Sequence, residues 1–212
     1  MDTRSEILTR SEELFLRLGV RSVTMDDIAS ELGISKKTLY QHFDNKDTLV
    51  EAVISTHVER EQQIMDQICS TAADALDEIR TMGTFITAMI EDVSASTLFD
   101  LQKYYRKSWE LLMQKQDFHV LNCIMKNIER GIGEDLYRSD LQPEIIAMIY
   151  AKAAFMIVDE ISRSASKFSR RQLIMELHNY HVHAIATEKG LKRWKEYIGD
   201  MKFYDTSKMT LG

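Results

Sequence analysis

The sequence predicts an all-α protein of about nine helices, and three observations carry that prediction. Its 212 residues include only 8 glycines and a single proline, Pro143, so the backbone breakers that frequent turns require are scarce. Apolar residues recur at three- and four-residue spacing along most of the chain, the period of a helix with one buried face. Runs that alternate apolar and polar, as a half-buried strand does, are hard to find.

The elements follow in order. Residues 3–18 carry an apolar stripe of Ile7, Leu8, Leu14, Phe15 and Leu18, and Gly19 supplies a stop. Thr24 suits the N-cap of a second helix, with Asp26 and Asp27 in its first turn, where the helix dipole favours carboxylates. Ile28, Ala29 and Leu32 form its inner face, and Gly33 ends it after about two turns. Ser35 caps a short third helix over 36–43, in which Leu39 and Phe43 face inward. Asp44-Asn45 break the pattern. A long fourth helix starts near Lys46 and keeps the stripe Leu49, Val53, Ile54, Val58, Ile64 and Ile68 to about Cys69. Further helices are predicted over 74–94, 97–105, 107–132, 143–166 and 169–189, the last ending before Gly190, while 194–212 is weakly patterned. The chain thus divides into an N-terminal three-helix helix-turn-helix module over 1–47 and a larger C-terminal helical domain over 48–212. The boundary falls inside the fourth helix, near 46–50.

Composition narrows the function. Apolar residues make up 44% and charged residues 28%, ordinary for a globular protein. The net charge of −6 gives no global basic footprint, which counts against general nucleic-acid affinity. Charge need only be favourable where a duplex sits, however. No apolar run approaches the roughly 20 residues that span a bilayer, and residues 1–10 are polar and mixed in charge, unlike a signal peptide. Cys69 and Cys123 lie in helical patterns without metal-ligand spacing, and read as reduced, partly buried thiols. A cytoplasmic protein is expected.

The informative stretch is Thr24 to Lys46, TMDDIASELGISKKTLYQHFDNK. Two short helices joined by a tight glycine-containing turn make a helix-turn-helix, whose second helix enters the DNA major groove. Lys36, Lys37, Thr38, Tyr40, Gln41 and His42 are suited to donate to base edges and phosphates.

These residues closely resemble the TetR family of bacterial transcriptional regulators. The resemblance rests on Thr24, Gly33-Ile34-Ser35, Thr38-Leu39-Tyr40, His42-Phe43 and Lys46, and covers about the first fifty residues. It implies a nine- or ten-helix homodimer that binds a pseudo-palindromic operator, with a ligand pocket in the C-terminal domain, and names no ligand. By the same resemblance Thr24, Tyr40, His42 and Lys46 hold phosphates, with Ser35 as the cap between them. Lys36, Lys37, Thr38 and Gln41 stand near bases. Lys37 departs from the family pattern, which has a small residue there.

In the larger domain, aromatic and methionine side chains concentrate between 85 and 125. Phe85, Met89, Phe99, Tyr104, Tyr105, Trp109, Met113 and His119 are the candidates for lining a pocket that takes a small apolar or amphipathic ligand. For any single one of them, plain helix packing is the favoured reading. Asp100, Gln102 and Asn122 read as surface polar groups. Helices 143–166 and 169–189 are the dimer candidates. The run Ala147, Ala151, Ala153 and Ala154 with Ile149, Phe155, Ile157 and Val158 is apolar on much of its circumference, and the resemblance implies a four-helix bundle with a second copy. His178, His181 and His183 invite a metal reading, but without flanking cysteines neutral interface or surface histidines are favoured. No cofactor, metal or membrane partner is expected.

Two alternatives compete with a ligand-responsive repressor. An enzyme on a helical bundle lacks support: no paired Glu-x-x-His, glycine-rich phosphate loop or nucleophile elbow is present. A protein-interaction adaptor that keeps the helix-turn-helix as a relic does not account for Lys36, Lys37, Tyr40, His42 and Lys46 together.

Overall fold

The computed structural model describes residues 2–162 and 167–199. Among these the chain forms ten α-helices: α1 (Thr3–Leu18), α2 (Met25–Glu31), α3 (Lys36–His42), α4 (Lys46–Thr71), α5 (Ala75–Asp92), α6 (Ala95–Tyr104), α7 (Arg106–Gly133), α8 (Pro143–Ser162), α9 (Arg170–Ile185) and α10 (Glu188–Gly199). The only extended pairing in the described residues is an isolated antiparallel bridge between Tyr137 and Ala186. The all-α prediction holds. The end of the helix expected over 143–166, and the tail beyond Gly199, lie outside the described residues.

Three apolar clusters hold the helices together. The first joins Ile7, Phe15, Ile28, Leu39 and Leu49 of α1–α4 with Leu101 of α6 and Leu112 of α7. The second packs α5, the C-terminal half of α7, α8, α9 and α10 around Ile79, Ile128, Tyr137 and Trp194. The third, between α4, α5 and α7, contains Met65, Ile68, Met82 and Cys123. α7 is the central strut, lying along both α4 and α8. α4 is unbroken, so its first turns belong to the helix-turn-helix and its last turns to the larger domain.

The helix expected over 169–189 is instead two. α9 stops at Ile185, where Ala186 turns extended with φ −74° and ψ 150°. The cause is tertiary: the loop after α7 pairs with this joint, Arg138 N donating to Ile185 O and Thr187 N to Leu136 O. No breaker residue marks the site. The Thr187 hydroxyl then accepts from Gly190 N and starts α10, whose Trp194 is buried. Gly190, read from sequence as a stop, lies inside this helix. A Cβ there would fall 2.1 Å from the carbonyl oxygen of Leu136, so glycine is needed for close approach.

Gly190→Ala is therefore expected to destabilise the protein by about 1–3 kcal/mol through overpacking against backbone. Gly199→Ala, whose Cβ meets nothing within 4 Å, is expected to leave thermal unfolding nearly unchanged. Equal melting temperatures for the two variants contradict this account.

Candidate functional site

The helix-turn-helix is built from caps and a left-handed turn. Thr24 and Asp27 form a capping box: Asp27 N donates to Thr24 Oγ1, and Thr24 N donates to Asp27 Oδ2. Such a box satisfies two orphan donors of α2. Gly33 takes φ 64°, a region a side chain disfavours, and this reverses the chain in one residue. Ser35 Oγ accepts from Thr38 N and starts α3. Leu39 and Phe43 then anchor α3 to the first core.

That anchoring decides what faces out. Lys36, Lys37, Tyr40, Gln41 and His42 are exposed, and Thr38 is half-buried with its hydroxyl on that of Ser35. Lys36 pairs with Asp26 at 2.6 Å, both largely in solvent. Among the described residues, no hydrogen bond or ion pair engages the side chains of Lys37, Tyr40, Gln41 or His42. Lys46 differs. Its Nζ donates to the carbonyl of Arg21 and lies 5.7 Å from the Tyr105 ring centre. Burial lowers its pKa, against the pull of Asp100, Asp47 and Asp27. Its ammonium is turned towards the joint between modules.

α6 forms that joint. Ser94 N donates to Leu16 O, and Thr97 Oγ1 donates to Phe15 O at 2.6 Å, so the start of α6 caps the end of α1. Asp100, read from sequence as a surface group, is buried and accepts from Arg21 N at 2.7 Å. Arg21 stacks on Tyr104, 4.6 Å from its ring centre.

Behind α6 lies a cavity of about 180 Å³ between α4, α5, α6, α7 and α8. Its wall is almost wholly apolar, and Leu98 on α6 forms part of it. A polar corner is made by His57, Glu61 and Gln116. Of the eight side chains singled out from sequence, Met89 and Met113 line it. The other six stand elsewhere. Phe85 packs against the third core, and Tyr105 and Trp109 against the first. Phe99 and Tyr104 are exposed and meet edge to face. His119 sits beside Cys123. A methionine or aromatic ring on a helix carries no sequence mark of which neighbour it faces.

The polar corner continues into a charge cluster. His57 Nδ1 donates to Glu12 Oε1 of α1 at 2.5 Å, and its Nε2 lies 3.0 Å from Glu61 Oε1. Arg60 donates to the same Glu12 oxygen, and Gln116 Nε2 donates to Glu61 Oε2. Burial disfavours a charged His57, but the bonds to Glu12 and Glu61 outweigh it and raise the imidazole to about 9. Burial likewise opposes ionisation of Glu12, yet the bonds from His57 and Arg60 hold its carboxyl below the ordinary value. Sequence reasoning missed this cluster. The signal was present: Glu12 stands between Leu8 and Phe15 on the inner stripe of α1, and His57 and Glu61 share a face of α4 four residues apart.

The histidines of α9 are not gathered on a ligand. His178 donates from Nδ1 to Ile174 O and accepts from Tyr150 on Nε2, which fixes its tautomer. Burial lowers the pKa of His178, and burial with His178 nearby lowers that of His181 to about 3, so both are neutral. His183 is exposed and bonds to Asn179 O.

Comparison with known proteins agrees with this architecture. The family profile described as bacterial regulatory proteins, tetR family, matches residues 7–53. The HTH-type transcriptional regulator YvaF of Bacillus subtilis (strain 168), itself uncharacterized, is 30% identical over 145 residues, which cover 65% of this chain and 75% of the relative. The chain belongs to the TetR family of bacterial transcriptional regulators. Another relative of this TetR-family chain, the HTH-type transcriptional repressor KstR2 of Rhodococcus jostii (strain RHA1), is 25% identical over 73% of this chain and 78% of its own. A solved transcriptional regulator from Cytophaga hutchinsonii superposes with a TM-score of 0.68 at 21% identity, covering 88% of this chain and all of that one, a likeness of fold. The relatives of this TetR-family chain are transcriptional regulators, a non-enzymatic role. No helix of the described residues is long and apolar enough to cross a membrane.

The His57 cluster makes stability depend on pH. A folded pKa of about 9 against 6.5 for the free side chain corresponds to about 3 kcal/mol. Because the folded value is raised, that contribution is complete below pH 6.5 and is lost as pH rises through about 9. Chemical denaturation at pH 6 and pH 9.5 is expected to show this fall in the native chain and little of it in His57→Asn.

Proposed function

We propose that this TetR-family regulator is a repressor that binds a pseudo-palindromic DNA operator as a homodimer and is released by a small, largely apolar inducer. The observation that carries the reading is the outer face of α3. Lys37, Tyr40, Gln41 and His42 stand in solvent there, while Leu39 and Phe43 hold the helix in one orientation. In this reading the DNA-docking unit spans residues 1–47 and the ligand-binding and dimerisation domain 48–212, with α4 shared as the lever. In this reading Lys36, Lys37, Thr38 and Gln41 approach bases, and Tyr40 and His42 grip phosphates. Thr24 and Ser35 act through the helix N-termini they cap. Lys46 has to leave the Arg21 carbonyl to reach the backbone of DNA.

Two recognition helices must sit roughly 34 Å apart to enter successive major grooves, so a second copy is needed. Its docking surface is the outer face of α8 and α9. Ile145, Met148, Ile149 and Met156 are exposed on α8, and Tyr180 on α9. Exposed apolar stripes of this kind mark interfaces, and a twofold axis pairs a stripe with itself.

The cavity supports a compact ligand, since drug-sized molecules occupy roughly 300–1,000 Å³. An apolar body would lie on Met89, Leu98 and Met113, with one polar group at His57 and Gln116. Coupling runs through α6: a ligand pressing on Leu98 displaces the helix whose Thr97 and Asp100 hold the end of α1. The ligand shifts a population only by its preference for one form.

A gel shift on DNA from upstream of the chain's own coding sequence tests the reading. A dimer-sized complex is expected, and a monomeric chain indifferent to DNA at low salt overturns it. Lys46→Ala is expected to weaken binding to operator and random DNA alike and to lower the salt slope by about 1. Gln41→Ala is expected to relax discrimination at one base pair by roughly 1–3 kcal/mol. Equal losses on operator and random DNA contradict the role given to Gln41. Ala154→Trp, which fills the cavity, is expected to keep operator binding and abolish release by inducer.

A further inference from the structure

Where α4 crosses α7, beside the third core, four side chains meet that no step above uses. Asp66 and Cys69 are three residues apart on α4, and His119 and Cys123 four apart on α7, so each pair shares a helix face. The ligating atoms of Asp66, His119 and Cys123 all lie within 4.8 Å of one another. Cys69 lies near enough to Cys123 for the two thiols to act on one another. We propose that Asp66, Cys69, His119 and Cys123 form a tetrahedral binding site for zinc(II) that ties α4 to α7.

Geometry supports it first. His119 Nε2 is 3.4 Å from Cys123 Sγ. Bonds of about 2.0 Å to nitrogen and 2.3 Å to sulfur at a tetrahedral angle put those two atoms about 3.5 Å apart. A sulfur and an imidazole nitrogen are therefore already spaced as two ligands of one ion. The carboxylate of Asp66 approaches from the opposite helix, with an oxygen within 4.8 Å of both atoms. The Cys69 thiol stands outside that group of three, and in the proposed site it turns inward as the fourth ligand. Two thiolates, one imidazole and one carboxylate suit zinc and disfavour magnesium or calcium, which take oxygen donors.

Burial supplies the second argument. Cys123 is buried, Cys69 and His119 are half-buried, and Asp66 is exposed. An ion thus has an entry path at Asp66 and a dry floor at Cys123. Neither cysteine is committed to a disulfide. The sequence hid the site because its two halves are 50 residues apart, with each cysteine carrying a single non-cysteine partner.

The test uses the full chain, stripped with chelator and titrated with cobalt(II), then with zinc(II). The expected result is a thiolate-to-cobalt charge-transfer band with the visible absorptions of a tetrahedral ion, saturating at one cobalt per chain and displaced by one zinc. Cys69→Ser is expected to lose about half of the charge-transfer intensity. Cys123→Ser and His119→Ala are expected to abolish saturable tetrahedral binding. Asp66→Asn changes an exposed residue, so it keeps the fold and is expected to weaken binding, with circular dichroism as the check on all variants. Absence of the tetrahedral spectrum in the native chain, or its survival in Cys123→Ser or Asp66→Asn with unchanged affinity, overturns the proposal.

Discussion

A protonated imidazole held between two carboxylates from different helices is the interaction on which the arrangement of the two modules depends. His57 lies on α4, Glu61 one turn further along, and Glu12 on α1. A charge in a mostly buried place is costly unless it is paired and hydrogen-bonded. Here each ion meets that condition only while α1, α4 and α7 keep their spacing, because Gln116 of α7 supplies the remaining bond to Glu61. Losing one member strands the others, which is a stronger constraint than any single apolar contact. The cluster is also the polar corner of the cavity, so the filling of that space and the seating of α1 share the same atoms.

The second constraint is backbone geometry at α6. Its first turn donates hydrogen bonds to the last carbonyls of α1, and Asp100 holds the turn between α1 and α2. A helix end left without partners is unfavourable. α1 therefore ends where α6 receives it, and Leu98 on α6 faces the cavity. Cavity, α6 and helix-turn-helix form a connected series of contacts, with α4 as a second, parallel connection.

Much of the helix-turn-helix was legible because its signals are local. Thr24, Gly33 and Ser35 act within three or four residues of themselves, and the structure places each as cap or turn. The break at Ala186 was not legible, since its cause is the loop at 136–138, nearly fifty residues earlier. Gly190 misled for the same reason: a glycine that stops a helix and a glycine that admits a neighbouring carbonyl look identical in a sequence. Asp100 read as surface because nothing local shows that an amide of Arg21 waits for it.

By itself the sequence determined the all-α class, the order and approximate limits of the helices up to α8, and the face that α3 turns to solvent. Those features follow from periodicity and capping, which act over one or two turns. Only the tertiary structure decided which side chains border the cavity, that Glu12, His57 and Glu61 share charge across helices, and that α9 and α10 are separate. Each of those is a meeting of residues distant along the chain, and the spacing of residues within one helix says nothing about which face of another it will touch.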